Sequence, residues 1–158
     1  MSFVRIILVA LCMGIVMPSV SFAQKTTVPG EVLVVLANEE AGKIDPQLKQ
    51  MTALRRPPFN SFRSMKILSR PKVKLTTGKD SIVSLPNGRR VKLTLVRVMP
   101  DGRYRVKASI NKPNQSDYLP LLQVVASPGD PFFIAGQSYK GGTLVVGVIV
   151  DPKNKGKK

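Results

Sequence analysis

Two stretches of the chain are apolar almost without a break: EVLVVLA (Glu31–Ala37) and TLVVGVIV (Thr143–Val150). Neither alternates as a strand with one wet face would, so each reads as a strand buried on both faces, able to pair with the other or share a central sheet with it. Most of the chain between them repeats with period two. KVKLTT (Lys72–Thr77) sets Val73 and Leu75 against Lys72 and Lys74, and GRYRVKASI (102–110) sets Tyr104, Val106, Ala108 and Ile110 against Arg103, Arg105, Lys107 and Ser109. SFRSMKIL (Ser61–Leu68), with Phe62 and then Ile67 or Leu68 facing in, SIVSL (Ser81–Leu85), YLPLLQVVA (Tyr118–Ala126) and PFFIA (Pro131–Ala135) read as further strands. One segment breaks the rule. DPQLKQMTALR places Asp45 at an N-cap and Pro46 at the first helical position, and Leu48, Met51 and Leu54 would face the core from a helix of about ten residues. It ends at RPPFN, because Arg56 and Pro57 each precede a proline.

Two turns fix registers. In LPNG (Leu85–Gly88) Pro86 suits the first central position of a type I turn and Gly88 the positive φ of a bulge, which pairs Leu85 with Arg89 and Val83 with Val91. In MPDG (Met99–Gly102) a two-residue loop at Pro100-Asp101 pairs Leu95 with Val106, Leu93 with Ala108 and Val91 with Ile110. That register puts Arg90, Lys92 and Thr94 beside Ser109, Lys107 and Arg105, so two strands agree on which face is apolar. Arg97 then falls opposite Tyr104, with its guanidinium over the ring unless a bulge turns it outward. The pattern predicts a mainly β fold: an antiparallel β-sandwich or partly open barrel of about seven or eight strands, with one short α-helix near the N-terminus of the mature domain.

The first residues change the picture of where this domain works. MSFVRIILVALCMGIVMPSVSFA carries one cation, an apolar run too short to span a bilayer, a proline and small residues at Ser21 and Ala23. This predicts a signal peptide over 1–23, an exported protein that is periplasmic or extracellular, a single domain over 24–150 and a basic disordered tail over 151–158. The chain then has no transmembrane segment after cleavage. Cys12, the only cysteine, leaves with the leader, since Leu11 does not fit lipoprotein processing. The mature chain has no disulfide, and its stability must come from a core. A domain of this size buries roughly two-thirds of its unfolded surface.

Composition narrows the chemistry. Histidine is absent and the sole cysteine is in the leader, which excludes ordinary His/Cys zinc sites and Ser-His or Cys-His dyads. No catalytic residue, metal or cofactor is assigned, and the protein reads as a non-enzyme. GQSYKGGT (Gly136–Thr143) has the glycine spacing of a phosphate loop, but Gly142 stands where that loop needs lysine and a strand follows in place of a helix, so it reads as a hairpin. NQS (114–116) matches a glycosylation sequon, which matters only in a eukaryotic secretory pathway. Phe59 and Phe62 of RRPPFNSF read as plugs at the end of the core. FFIAGQSYKGGTLVVGVIV (132–150) resembles the glycine-containing hairpins of secretin-type envelope proteins, but it holds no diagnostic motif and no residue role is carried over from it.

What remains is charge. The formal net charge is +16, and only Arg5 leaves with the leader. The hairpin register gathers Arg90, Lys92, Arg103, Arg105 and Lys107 on one sheet face, with Lys72 and Lys74 joining if their strand shares the sheet. Asp80 and Asp101 are expected in turns, off the stripe. A face so built is a candidate surface for an anionic envelope polymer, lipid headgroups or an acidic protein. Nucleic acid fits less well, because aromatics for base stacking are few. The alternatives are a face that only solvates the protein, and a structural subunit that recruits its partner by strand addition.

Overall fold

The two apolar runs become the two central strands of one sheet. In the computed structural model, which describes residues 25–153, β1 (Thr27–Asn38) and β9 (Gly142–Val150) pair antiparallel, from Gly30 opposite Val150 to Ala37 opposite Thr143. Their continuity has the expected cause. Val32, Val34, Val146 and Val148 face the second sheet, while Leu33, Val35, Val145 and Ile149 face a separate apolar layer.

β8 (Phe132–Tyr139) flanks β9, and the hairpin between them turns on Lys140-Gly141, both at positive φ, as a two-residue loop with right-handed twist requires. The other edge of β1 is shared. Its second half pairs with β2 (Ser64–Ser69) and its first half with β3 (Lys72–Thr76). The switch falls at Pro71, which has no N–H to offer and whose carbonyl accepts from Val32 N–H at 2.9 Å.

The second sheet is a meander of β4 (Asp80–Ser84), β5 (Arg90–Val98), β6 (Tyr104–Asn111) and β7 (Tyr118–Ala126). Its inner residues, among them Val91, Leu93, Leu95, Val106 and Ala108, pack on the first sheet to close the main core. The fold is therefore the expected antiparallel β-sandwich, with nine strands in two sheets. β3 and β4 close one side, where Ser81 Oγ donates to Lys74 O at 2.6 Å. β7 and β8 end their sheets on the other.

The helix differs from expectation. Asp45 caps it as predicted, accepting from Gln47 N–H at 2.9 Å, but α1 spans only Pro46–Lys49. Met51 is extended, and a 3₁₀ turn follows at Thr52–Arg55. Leu48, Met51 and Leu54 repeat strictly by three, with Thr52 and Arg55 where an α-helix would need further apolar residues. Bonds from Met51 N–H to Leu48 O and from Leu54 N–H to Met51 O, each three residues apart, link these positions, and the row lies on the outer face of the first sheet as part of the second apolar layer. Phe59 and Phe62 join that layer, Phe59 edge-on to Phe133 at 5.8 Å between ring centres. β2 accordingly starts at Ser64 and buries Met65, with Phe62 lying before the strand.

The LPNG turn forms as read, with Leu85 N–H donating to Arg89 O at 2.7 Å and Gly88 at φ +79°. The MPDG turn does not. It too is a three-residue loop, with Met99 N–H donating to Arg103 O at 2.7 Å and Gly102 at φ +79°. The extra residue is absorbed by a bulge between Leu95 and Arg97, which restores the predicted pairs Leu95–Val106, Leu93–Ala108 and Val91–Ile110.

The expected leader (1–23) lies outside the described residues, as does the tail beyond 153; residues 151–153 form a turn. Among the described residues no helix is long and apolar enough to cross a membrane.

Candidate anion-binding face

The outward residues of the meander form rows across the strands. Asp80, Thr94, Lys107 and Gln123 make one row, Ile82, Lys92, Ser109 and Pro120 a second, and Arg97, Arg105 and Val125 a third. Neighbouring strands in such a sheet are about 4.8 Å apart. Arg90, Lys92, Arg105 and Lys107 therefore share one face, as the alternation implied.

Three predicted members are placed elsewhere. Lys72 and Lys74 are exposed on β3, which pairs with β1 in the other sheet. Parity tells which side of the strand they occupy, while a pairing between residues 27–31 and 72–76 is long-range and leaves no local mark. Arg103 sits at the turn, bound to Asp101 by its own N–H (3.1 Å) and its guanidinium (2.7 Å). The Arg103 side chain and backbone N–H hold the Asp101 carboxyl below its usual value. Their charges cancel locally, so Asp101 is in the turn as expected but is not remote from the cations.

Asp80 corrects the reading more directly. It is the first residue of β4, on the face itself, opposite Thr94. Thr94 Oγ1 donates to it at 2.6 Å, and this bond, with Lys92 Nζ 3.4 Å away and Lys107 nearby, keeps its carboxyl below the ordinary value. Lys92 is held twice, by Asp80 and by the ring of Tyr118, 4.5 Å from its ammonium. Arg90, Arg97, Arg105 and Lys107 have no carboxylate in salt-bridge reach among the described residues.

Arg97 does not lie over the Tyr104 ring, the arrangement expected of a regular strand. The bulge instead pairs Val98 with Tyr104 and turns Arg97 outward, directly opposite Arg105. Tyr104 points inward and donates its hydroxyl to Asp151 at 3.1 Å. The signal for this is present in the sequence: MPDG repeats the Pro-Asn/Asp-Gly form of LPNG, and the same three-residue loop in both turns demands one extra residue upstream.

The face also carries aliphatic residues that a count of charges overlooks. Ile82 and Val125 are large exposed hydrophobics on its outward rows, whereas exposed Val98 and Leu119 pair with the inward residues Tyr104 and Ile110. Ile82 is 53% exposed and stands opposite Lys92; Val125 is 38% exposed and stands opposite Arg105. The chain matches no model of a protein family, no curated protein and no solved structure.

Proposed function

We propose that this is an exported, non-enzymatic binding or envelope-assembly domain that presents the outer face of the β4–β7 sheet to an anionic surface or polymer. The contact residues are Arg90, Lys92, Arg97, Arg105 and Lys107. One observation carries the reading: Arg97 and Arg105 are directly opposed with no carboxylate to compensate them among the described residues. Opposed like charges on neighbouring strands destabilise a sheet, and an anionic partner removes that cost. The summed positive field also draws such a partner in.

Binding of heparin, duplex DNA and anionic vesicles across a salt titration tests this, with Arg97→Glu/Arg105→Glu/Lys107→Glu run alongside. The wild type binds at low salt, weakens steeply as salt rises, and loses binding in the triple variant. Equal behaviour of the two proteins, or no binding at low salt, refutes the assignment.

A second reading, a structural subunit that adds a partner's strand to an edge, has β7 in its favour. That strand ends its sheet and exposes Leu119 and Leu121. Pro120 opposes it by removing a donor. Strand addition is insensitive to salt, so the same titration separates the two.

A further inference from the structure

We infer that the anionic partner is the headgroup layer of a lipid bilayer, an assignment that rests on the basic-face reading above. Three observations lead there. First, the cations are interleaved with outward aliphatics: Ile82 faces Lys92 across one strand pair and Val125 faces Arg105 across another. A polymer of phosphates or sugars has little use for exposed isoleucine and valine. The boundary between headgroups and acyl chains takes cations and aliphatics together.

Second, the face offers no stacking platform. Tyr118 is the aromatic on its outward side, and Lys92 covers its ring while its hydroxyl is buried. Bases bind such domains by stacking on free rings, as sugars do in other folds. Third, three cavities line the helical layer and the β8–β9 turn, and none of the three is lined by this sheet. The cations stand on the open outer face of the sheet, which favours a partner met as a surface.

Each lysine or arginine brought to an anionic bilayer strengthens partitioning roughly fivefold. Arg105→Glu/Lys107→Glu therefore weakens it by about 25-fold or more. Ile82→Ser/Val125→Ser removes apolar area and weakens it by roughly tenfold, in a component that persists at high salt. The protein contains no tryptophan, so Ile82→Trp places a single fluorescent reporter on the face.

The test is sedimentation with phosphatidylcholine vesicles, with and without phosphatidylglycerol, beside heparin and duplex DNA as polymer probes. Circular dichroism confirms that each variant is folded, and the exposed positions of Ile82 and Val125 favour this. The expected result is binding to phosphatidylglycerol vesicles alone among the vesicles. Ile82→Ser/Val125→Ser weakens vesicle binding and leaves heparin binding intact, and the indole emission of Ile82→Trp shifts to the blue with vesicles but not with heparin. Binding to heparin or DNA without binding to vesicles overturns the lipid assignment and leaves the basic face standing. Vesicle binding indifferent to the aliphatic pair, with no blue shift, also overturns it. Failure to bind any of the probes removes both readings.

Discussion

The opposed arginines make a prediction in which stability and binding move in opposite directions. Arg97 and Arg105 are directly paired across β5 and β6, where Cα atoms in an antiparallel ladder are about 4.5–5.5 Å apart. Replacing Arg97 by glutamate turns a repulsive pair into an attractive one. A directly opposed charged pair is worth roughly 0.2–1 kcal/mol, so the exchange spans about 0.4–2 kcal/mol. Arg97 is exposed, and solvent screening brings the gain to about 1 kcal/mol. For a domain of this size that raises Tm by roughly 3–5 °C. Glutamine at 97 should give an intermediate gain, because it removes the repulsion and adds no attraction. The assay is a thermal melt of the wild type, Arg97→Gln and Arg97→Glu at low and at about 1 M salt, where the Debye length falls to about 3 Å. Stability should rise in the order Arg, Gln, Glu at low salt, and the three should converge at high salt. Binding to anionic probes should fall in the same order. A variant melting below the wild type at low salt, or a ranking that salt leaves unchanged, refutes the reasoning.

Three further outcomes follow from the same structure. Gly147 lies opposite Phe133, and a Cβ there would stand 2.5 Å from the Phe133 ring and 3.3 Å from Leu33 Cβ; Gly147→Ala should therefore cost about 1–3 kcal/mol in a urea melt through overpacking, and Gly147→Ala/Phe133→Leu should lose less than the two single changes added together. Asp80 has its carboxyl lowered mainly by the Thr94 hydroxyl, with Lys92 and Lys107 assisting. A carboxylate depressed in the folded state stabilises fully above its unfolded value near pH 4, and the contribution fades as pH falls through the lowered value. Thr94→Val should flatten that acid limb of the stability curve. Finally, mass spectrometry of the protein recovered from its native host should give an N-terminus at Gln24, as cleavage after Ala23 requires; a chain retaining Cys12 would overturn the expected leader.

The features legible in the sequence are those whose cause is local. Period-two alternation in Arg103–Ile110 tells which residues face in, and Pro86-Asn87-Gly88 determines both turn geometry and register. The doubly apolar runs announce strands covered on both sides, and they are each other's partners. What escapes is long-range, or is an irregularity invisible to a periodic template. The bulge beside Val96 leaves the pairs Leu95–Val106, Leu93–Ala108 and Val91–Ile110 as the alternation implies, yet it puts Val98 opposite Tyr104 and moves Arg97 from the core side to the face. β3 reads the same whether it joins β4 or β1, so only the fold decides which sheet carries Lys72 and Lys74. Asp80 reads as a turn residue because a charged residue after Gly78-Lys79 suits a loop, whereas its bond to Thr94 draws it into the strand.

The two sheets divide the work of the domain, and this makes the proposed function separable from the fold. β1 and β9 are covered on one side by the β4–β7 sheet and on the other by the helical layer. Substitution along them opens a cavity or a clash whichever way a side chain points. The β4–β7 sheet commits only its inner face to the core, and the contacts across its outer face gather on Lys92, with Asp80, Thr94 and the Tyr118 ring, away from Arg97 and Arg105. A charge reversal at Arg97, Arg105 or Lys107 can thus abolish binding in a protein that remains folded. That separation gives a negative binding result its meaning, because loss of the partner and loss of the structure have different residues as their cause.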